Sequence, residues 1–401
     1  MNIKITASKN GKSEIPEWKL KRVQRDVSSR KNFRTGNYDF NLGSTEISKK
    51  HVQKVEKFDG KRWRKASEDI DAPLLTSMIG GCTSFSQVMY LFNGQNEKPY
   101  FNAIHMTAIF SYMIKALIEG ETTIDTALLN RFKAKLIALV KTFNDRTIAN
   151  VAHSAEALLE YGKQIDNQCL LEIATSIIDE VFEEVFRRGS KALREFPIEA
   201  LCSIAKCASN LHKYGRKRQK ETLNFSAVEL LRCVFHEILH RHRMGEQFDS
   251  RAKNNLSCYA KEMLTASNEQ EFQCLAKITL QALFENIQNG RKDWHSWNAQ
   301  DLSTLSSNAA CALHWCNNQS YEMFESLLAQ TLRDLFIHIK YELKGLSDFN
   351  AYDIKCLAYS VEVFFHYAKK KRDISLASDL FDIIFRAIEN KKILSLVNSR
   401  D

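Results

Sequence analysis

The sequence predicts an all-α fold: an alpha-alpha superhelix of about six to seven helical hairpins, a solenoid, behind a basic N-terminal arm. Three observations predict it. An aromatic anchor recurs at Phe101, Phe143, Phe196, Phe248, Trp297 and Phe349, with spacings of 42, 53, 52, 49 and 52 residues. The fifth, eighth and twelfth residues after most anchors are apolar, as in Ile148, Val151 and Ala155 after Phe143 or Leu302, Leu305 and Ala309 after Trp297. A period of this size marks stacked supersecondary units. Only 4 Pro and 14 Gly occur in 401 residues, which suits long helices joined by short turns.

Each anchor predicts the entry of a first helix. The next residue is Asn102, Asn144, Asp249, Asn298 or Asn350 in five copies. Asn and Asp are favoured helix caps because their side chains accept from the free amides of the first turn. The anchor and its fifth-residue partner then form a hydrophobic staple across the cap. Asp301 and Asp353 follow their caps by three residues and reach back toward them. The third copy differs, with Pro197 after Phe196, and Pro is tolerated at a helix start. The fourth is the weakest, with Lys253 in the partner slot. Gly162 and Gly215, near the ends of two first helices, are expected to terminate them. A second helix follows each first one, for example over Cys169 to Phe186, Ala227 to His240, Glu322 to Leu343 and Leu376 to Ile388.

The chain divides into a basic, mostly disordered leader (1–66), N-terminal capping helices (67–100), the solenoid (101–390) and a tail (391–401). The leader holds 18 Lys+Arg against 7 Asp+Glu, a net of +11. The whole chain is +9, so residues 67–401 carry −2. Basic character belongs to the leader, densest at Lys61, Arg62, Arg64 and Lys65 around Trp63, and reads as an electrostatic arm for nucleic acid or as a solubilising or targeting tail. In the capping region, Leu74, Leu75 and Ile79, then Val88, Met89 and Phe92, predict two short helices. Terminal units of solenoids are commonly atypical.

No run of about 18 apolar residues exists, so no membrane span is expected. Residues 1–12 lack an apolar segment, so no secretory signal is expected. Ten scattered Cys read as reduced residues of an intracellular protein.

The string from Phe143 through Asn144, Ile148, Val151 and Ala155 to Tyr161-Gly162 resembles the first helix of octotricopeptide repeats. So does Phe196 through Leu201, Ile204 and Ala208 to Tyr214-Gly215. The lead-in helix and Phe101-Asn-Ala-Ile-His-Met106 resemble the repeat start of the related FAST-kinase-like proteins. The resemblance covers roughly residues 70–390. It implies an alpha-solenoid that binds single-stranded RNA and supports RNA stability, processing or translation, in organelles or host-associated bacteria. The spacings here exceed the family's usual 38 to 40 residues. The small nuclease-like domain that ends many members is not expected after residue 390, and the resemblance implies no catalysis.

A repeat that reads bases uses polar side chains at matching positions of one helix. The seventh residues after the anchors are Ala108, Asn150, Ser203, Asn255, Thr304 and Cys356; the tenth are Ser111, His153, Lys206, Cys258, Ser307 and Tyr359. Asn150, His153, Ser203, Lys206, Asn255, Thr304, Ser307 and Tyr359 are the base-facing candidates, although an ordinary solvated face has the same look. Phosphate candidates are Lys213, Arg216, Lys217, Arg218, Lys220, Arg241 and Arg243, with Lys369 to Arg372 behind them. Basic residues at helix ends also simply complement the dipole.

His236-Glu237-Ile238-Leu239-His240 is a literal H-E-x-x-H, which on a helix can hold zinc with the Glu as general base. It falls within a packing stripe, Arg241 follows it, and no third ligand sits at metzincin spacing. Glu262 is the distant candidate. No P-loop, GxGxxG or GxSxG is present. The expected function is therefore non-catalytic binding of single-stranded RNA in a concave groove, by a monomer without cofactor. The alternatives are a protein-interaction scaffold, for instance a bacterial effector delivered to a host cell, and a zinc hydrolase using His236 and His240.

Overall fold

The computed structural model describes residues 72–119, 125–267, 269–316, 321–341, 346, 348–371 and 375–390. The basic leader and the 391–401 tail lie outside the described residues. Among the described residues, the regular structure is helical throughout. The chain forms two compact units, Met1–Arg187 and Arg188–Asp401. The division falls beside Gly189, which interrupts a long helix with φ +75° and ψ 179°.

The first unit contains α1 (Ala72–Gly80), α2 (Phe85–Gln95), α3 (Ala103–Ile118), α4 (Thr126–Leu139), α5 (Asp145–Gln164) and most of α6 (Gln168–Glu195). The two lead-in helices are α1 and α2. They pack on α3, burying Leu75, Ile79, Val88, Met89 and Phe92. Phe92 meets Phe101 at 6.3 Å and Phe132 at 5.3 Å between ring centroids, both edge-on, a favoured aromatic geometry. His105 ties the start of α3 to α1. Its Nδ1 accepts from the Asn102 amide at 3.2 Å, and its Nε2 lies 3.0 Å from the Ala72 carbonyl. The first interaction leaves the proton on Nε2, so the second is a donation.

The second unit continues with α7 (Ile198–Arg218), α8 (Glu221–Arg243), α9 (Ser250–Ala266), α10 (Gln270–Asn289), α11 (Ala299–Cys316), α12 (Glu322–Tyr341), α13 (Ala351–Lys371) and α14 (Ser375–Asn390). First helices stack on first helices, α7 on α9 on α11 on α13. Second helices stack likewise, α8 on α10 on α12 on α14. Each first helix also packs on its own second helix. This two-layer succession is an alpha-alpha repeat, in which each unit buries its apolar face against its neighbours.

The anchors act as staples. All six are buried, as are Met106, Ile148, Leu201, Leu302 and Ile354 opposite them. The caps form as the sequence predicts. Asn144 Oδ1 accepts from Thr147 N at 2.9 Å, Asp249 from Ala252 N at 2.6 Å and Asn298 from Asp301 N at 2.8 Å. Asn350 and Asp353 close a reciprocal box: the Asp353 amide donates to Asn350 Oδ1 at 3.0 Å and the Asn350 amide to Asp353 Oδ2 at 3.1 Å. Pro197 caps with no side-chain bond. In the weak copy Lys253 is buried beneath the next anchor, its Nζ 6.0 Å from the centre of the Trp297 ring. The ring face offsets part of the cost of burying the ammonium.

Two expectations are corrected. Gly162 and Gly215 do not end their helices, which run on to Gln164 and Arg218. The left-handed residues just past those ends are Asp166 (φ 51°) and Gln219 (φ 54°). Here glycine serves close approach. A Cβ on Gly162 would lie 3.1 Å from Leu171 Cδ2, and one on Gly215 would lie 3.2 Å from the Asn224 backbone nitrogen. The end of α8 does use glycine: Gly245 follows it with φ +80°. Second, α8 begins at Glu221 rather than at the apolar run from Ala227, because its first turns are polar.

Candidate nucleic-acid interface

The base-facing candidates of the second unit come together because successive first helices lie side by side. Ser203 and Lys206 are on α7, Asn255 on α9, Thr304 and Ser307 on α11, and Tyr359 on α13; all six are half-buried. Asn150 and His153 belong to α5 in the first unit, the former half-buried and the latter exposed. Several carry local duties. Ser203 Oγ bonds back to the Glu199 carbonyl at 3.0 Å. The Tyr359 hydroxyl lies 3.5 Å from Cys311 Sγ, and burial raises its pKa above the ordinary phenol value, with Cys311 adding to the rise.

The half-burial has a cause that the apolar pattern does not reveal. Polar side chains cross between successive first helices. Ser209 donates to Glu262 at 2.6 Å from α7 to α9, and Asn308 to Ser257 Oγ at 3.1 Å from α11 to α9. Ser303 donates to Asp353 at 2.8 Å and Ser360 to Ser306 at 3.3 Å, both between α11 and α13. Small hydroxyls let these helices approach, and buried polar atoms require such partners. The candidate row flanks this hydrogen-bonded seam.

The basic candidates separate into three kinds. Arg241 is buried and unavailable to phosphate. Its Nε donates to Glu237 at 2.8 Å, and its Nη2 to the carbonyls of Leu193, Arg194 and Phe196 at 3.0, 3.1 and 2.7 Å. Those carbonyls end α6 and precede α7, so Arg241 caps the joint. Lys213, Arg216 and Lys220 are partly committed. Lys213 pairs with Glu262 at 2.7 Å, Arg216 donates to the Ala266 carbonyl, and Lys220 lies 5.9 Å over the Tyr214 ring. Lys217, Arg218 and Arg243 are exposed. Lys369 and Lys370 are exposed at the end of α13, whereas Arg372 lies outside the described residues.

The H-E-x-x-H segment is on α8 with His236 and His240 exposed, but Glu237 is buried in the pair with Arg241. Glu262 is engaged by Ser209 and Lys213. Among the described residues no group of three or more His, Cys, Asp or Glu is placed to hold a metal ion. Trp294 and Trp297 are buried and pack on each other at 6.3 Å.

A cavity of about 110 Å³ opens beside the basic cluster, which sequence periodicity does not indicate. His212 and Arg216 of α7, Asn224 and Val228 of α8, and Ser267 and Glu269 of the α9–α10 connection line it. His212 is 3% exposed, and neither of its ring nitrogens makes a hydrogen bond of normal geometry; its nearest polar neighbour is the Asn224 side chain, whose buried Oδ1 likewise makes none. Burial, then the charge of Arg216, holds the His212 pKa below the ordinary imidazole value; Asn224 and Glu262 act against that shift.

Among the described residues no helix is long and apolar enough to cross a membrane. No protein-family model matches the chain, and no curated protein matches it. One similar solved structure is described as "Circular tandem repeat protein with novel repeat topology and enhanced subunit contact surfaces". It shares 14% identity at a TM-score of 0.34, covering 96% of this chain and 92% of that one. The succession of hairpins itself makes this chain a helical-repeat protein.

Proposed function

We propose that this is a non-catalytic, intracellular repeat protein, monomeric and free of cofactor, that binds single-stranded RNA to affect its stability, processing or translation. The observation that carries the reading is the basic cluster at the end of α7. Lys217 and Arg218 are exposed there beside Lys213, Arg216 and Lys220, at one end of the helix that also bears Ser203 and Lys206. Phosphate contacts supply affinity and polar rows along repeat helices supply selectivity. The strongly basic leader adds long-range attraction. A gel shift with single-stranded RNA at rising salt tests the reading, and absence of binding at low salt refutes it.

A protein-interaction scaffold is the second reading, and an effector acting in a host cell is one setting for it. Exposed Phe225 (67%), Met323 (83%) and Tyr352 (66%) favour it, as does the charge of −2 over residues 67–401. Affinity purification with and without nuclease separates the two, since partners retained through RNA would be lost on digestion.

A further inference from the structure

We infer that the cavity between α7, α8 and the α9–α10 connection is a base pocket, which takes one unstacked nucleobase of a bound single strand. The inference rests on the RNA reading and adds a place to it. His212 Nδ1, His212 Nε2 and Asn224 Oδ1 are buried at the cavity without hydrogen bonds of normal geometry, and the adjacent Asn224 oxygen can serve at most one of the two ring nitrogens, which leaves the other without a partner. Unpartnered buried polar atoms are rare in native structures and call for a ligand or ordered water. The volume of about 110 Å³ exceeds what one water needs, roughly 10–15 Å³ on the same measure.

The lining selects the chemistry of the occupant. A neutral imidazole presents one donor and one acceptor, and Asn224 Oδ1 can only accept. The occupant must therefore offer both donors and acceptors on one edge. An oxyanion offers no donor to Asn224 Oδ1 and would face Glu269. A simple cation offers no acceptor to the imidazole and would face Arg216. A nucleobase edge, in which N–H groups alternate with carbonyl or ring-nitrogen acceptors, meets both demands. Val228 supplies an apolar wall, and the guanidinium of Arg216, held by the Ala266 carbonyl, supplies a flat one, on which bases stack well. Outside the cavity, exposed Lys217 and Arg218 suit the phosphates on either side of an unstacked base.

The test uses the full chain and fluorescein-labelled single-stranded RNA in anisotropy titrations. In one arm, single abasic nucleotides are moved through a high-affinity oligonucleotide against the unmodified protein. The pocket predicts one position at which removing the base weakens binding about tenfold or more. In the other arm, His212→Phe and Asn224→Leu are compared with the parent after circular dichroism and urea midpoints confirm folding. Both are expected to abolish the response at that abasic position while leaving the salt slope unchanged, because phosphate contacts remain. Lys217→Ala is expected to reduce the slope by about 0.7 and to keep the abasic response. A flat abasic scan with tight parental binding overturns the pocket and leaves RNA binding standing. Variants that retain the parental abasic response also overturn it, by placing the sensitive base elsewhere. No parental binding at low salt overturns both readings.

Discussion

Arg241 and Glu237 form a buried ion pair one helical turn apart, 2.8 Å between Nε and Oε1, both side chains less than 10% exposed. Glu237 is the carboxylate of the H-E-x-x-H segment. Its carboxylate holds the arginine that caps the α6–α7 joint. Truncating one member of such a pair strands a buried charge, at a cost of about 3–5 kcal/mol. Arg241→Ala should lower stability by that order in urea unfolding, and His240→Ala, at an exposed position, should change it by less than about 0.5 kcal/mol. Equal effects would contradict the structural assignment.

The staples make a prediction about the anchors. Phe143 is buried opposite Ile148, and Phe143→Ala should cost about 3–5 kcal/mol by leaving a cavity. Any RNA selectivity, compared among oligonucleotides at a temperature where the variant stays folded, should be unchanged. A changed preference order would make the anchor a contact residue.

Glycines in helices separate by what surrounds them. Gly215→Ala should destabilise, because the new Cβ would meet the Asn224 nitrogen at 3.2 Å and the Lys220 carbonyl at 3.3 Å, both backbone atoms. Gly94, in α2, has nothing within 4 Å of that position. Gly94→Ala should therefore stabilise by roughly 0.5–1 kcal/mol. Thermal melts of the two variants give opposite signs if the hairpin approach is as described.

His212 gives a pH dependence. Its folded pKa lies below the ordinary value, so the unfolded chain takes up the proton more readily. The associated stability is complete above the unfolded value, about 6.5, and is lost as pH falls toward the folded one. Urea midpoints should therefore fall between about pH 7 and pH 5, and His212→Phe should flatten part of that decline. Asp301, whose pKa burial raises, contributes with opposite sign at lower pH. A decline identical in His212→Phe would show that the imidazole is not the group responsible.

The repeat is legible in the sequence because its signal is local. An anchor, a cap and a partner lie within six residues, and each has one physical job, as Phe349, Asn350 and Ile354 show. The ends of helices are less legible. Gly215 reads as a terminator by residue type, whereas its role depends on Asn224 in the next helix. The site is least legible for the same reason. His212 and Asn224 are ordinary residues of their own helices and share a cavity only because α7 and α8 fold back on each other. The hydroxyl seam through Ser303 and Asp353 joins residues 50 apart, and short polar residues on a helix look like solvated surface until the neighbour is in place. Arg241 is ambiguous in sequence because a basic residue near a helix end has two opposite uses, outward to phosphate or inward to carbonyls.

The central claim is that this repeat protein binds single-stranded RNA through phosphates at the basic end of α7. The most direct measurement is the salt dependence of affinity for single-stranded RNA in the parent and in a Lys217→Ala, Arg218→Ala double variant. The account predicts binding that weakens steeply with salt, and a slope smaller by about 1 to 2 in the double variant, since each phosphate contact on a single strand contributes about 0.7. Binding that is absent at low salt, or a slope unaltered by the double variant, would contradict it.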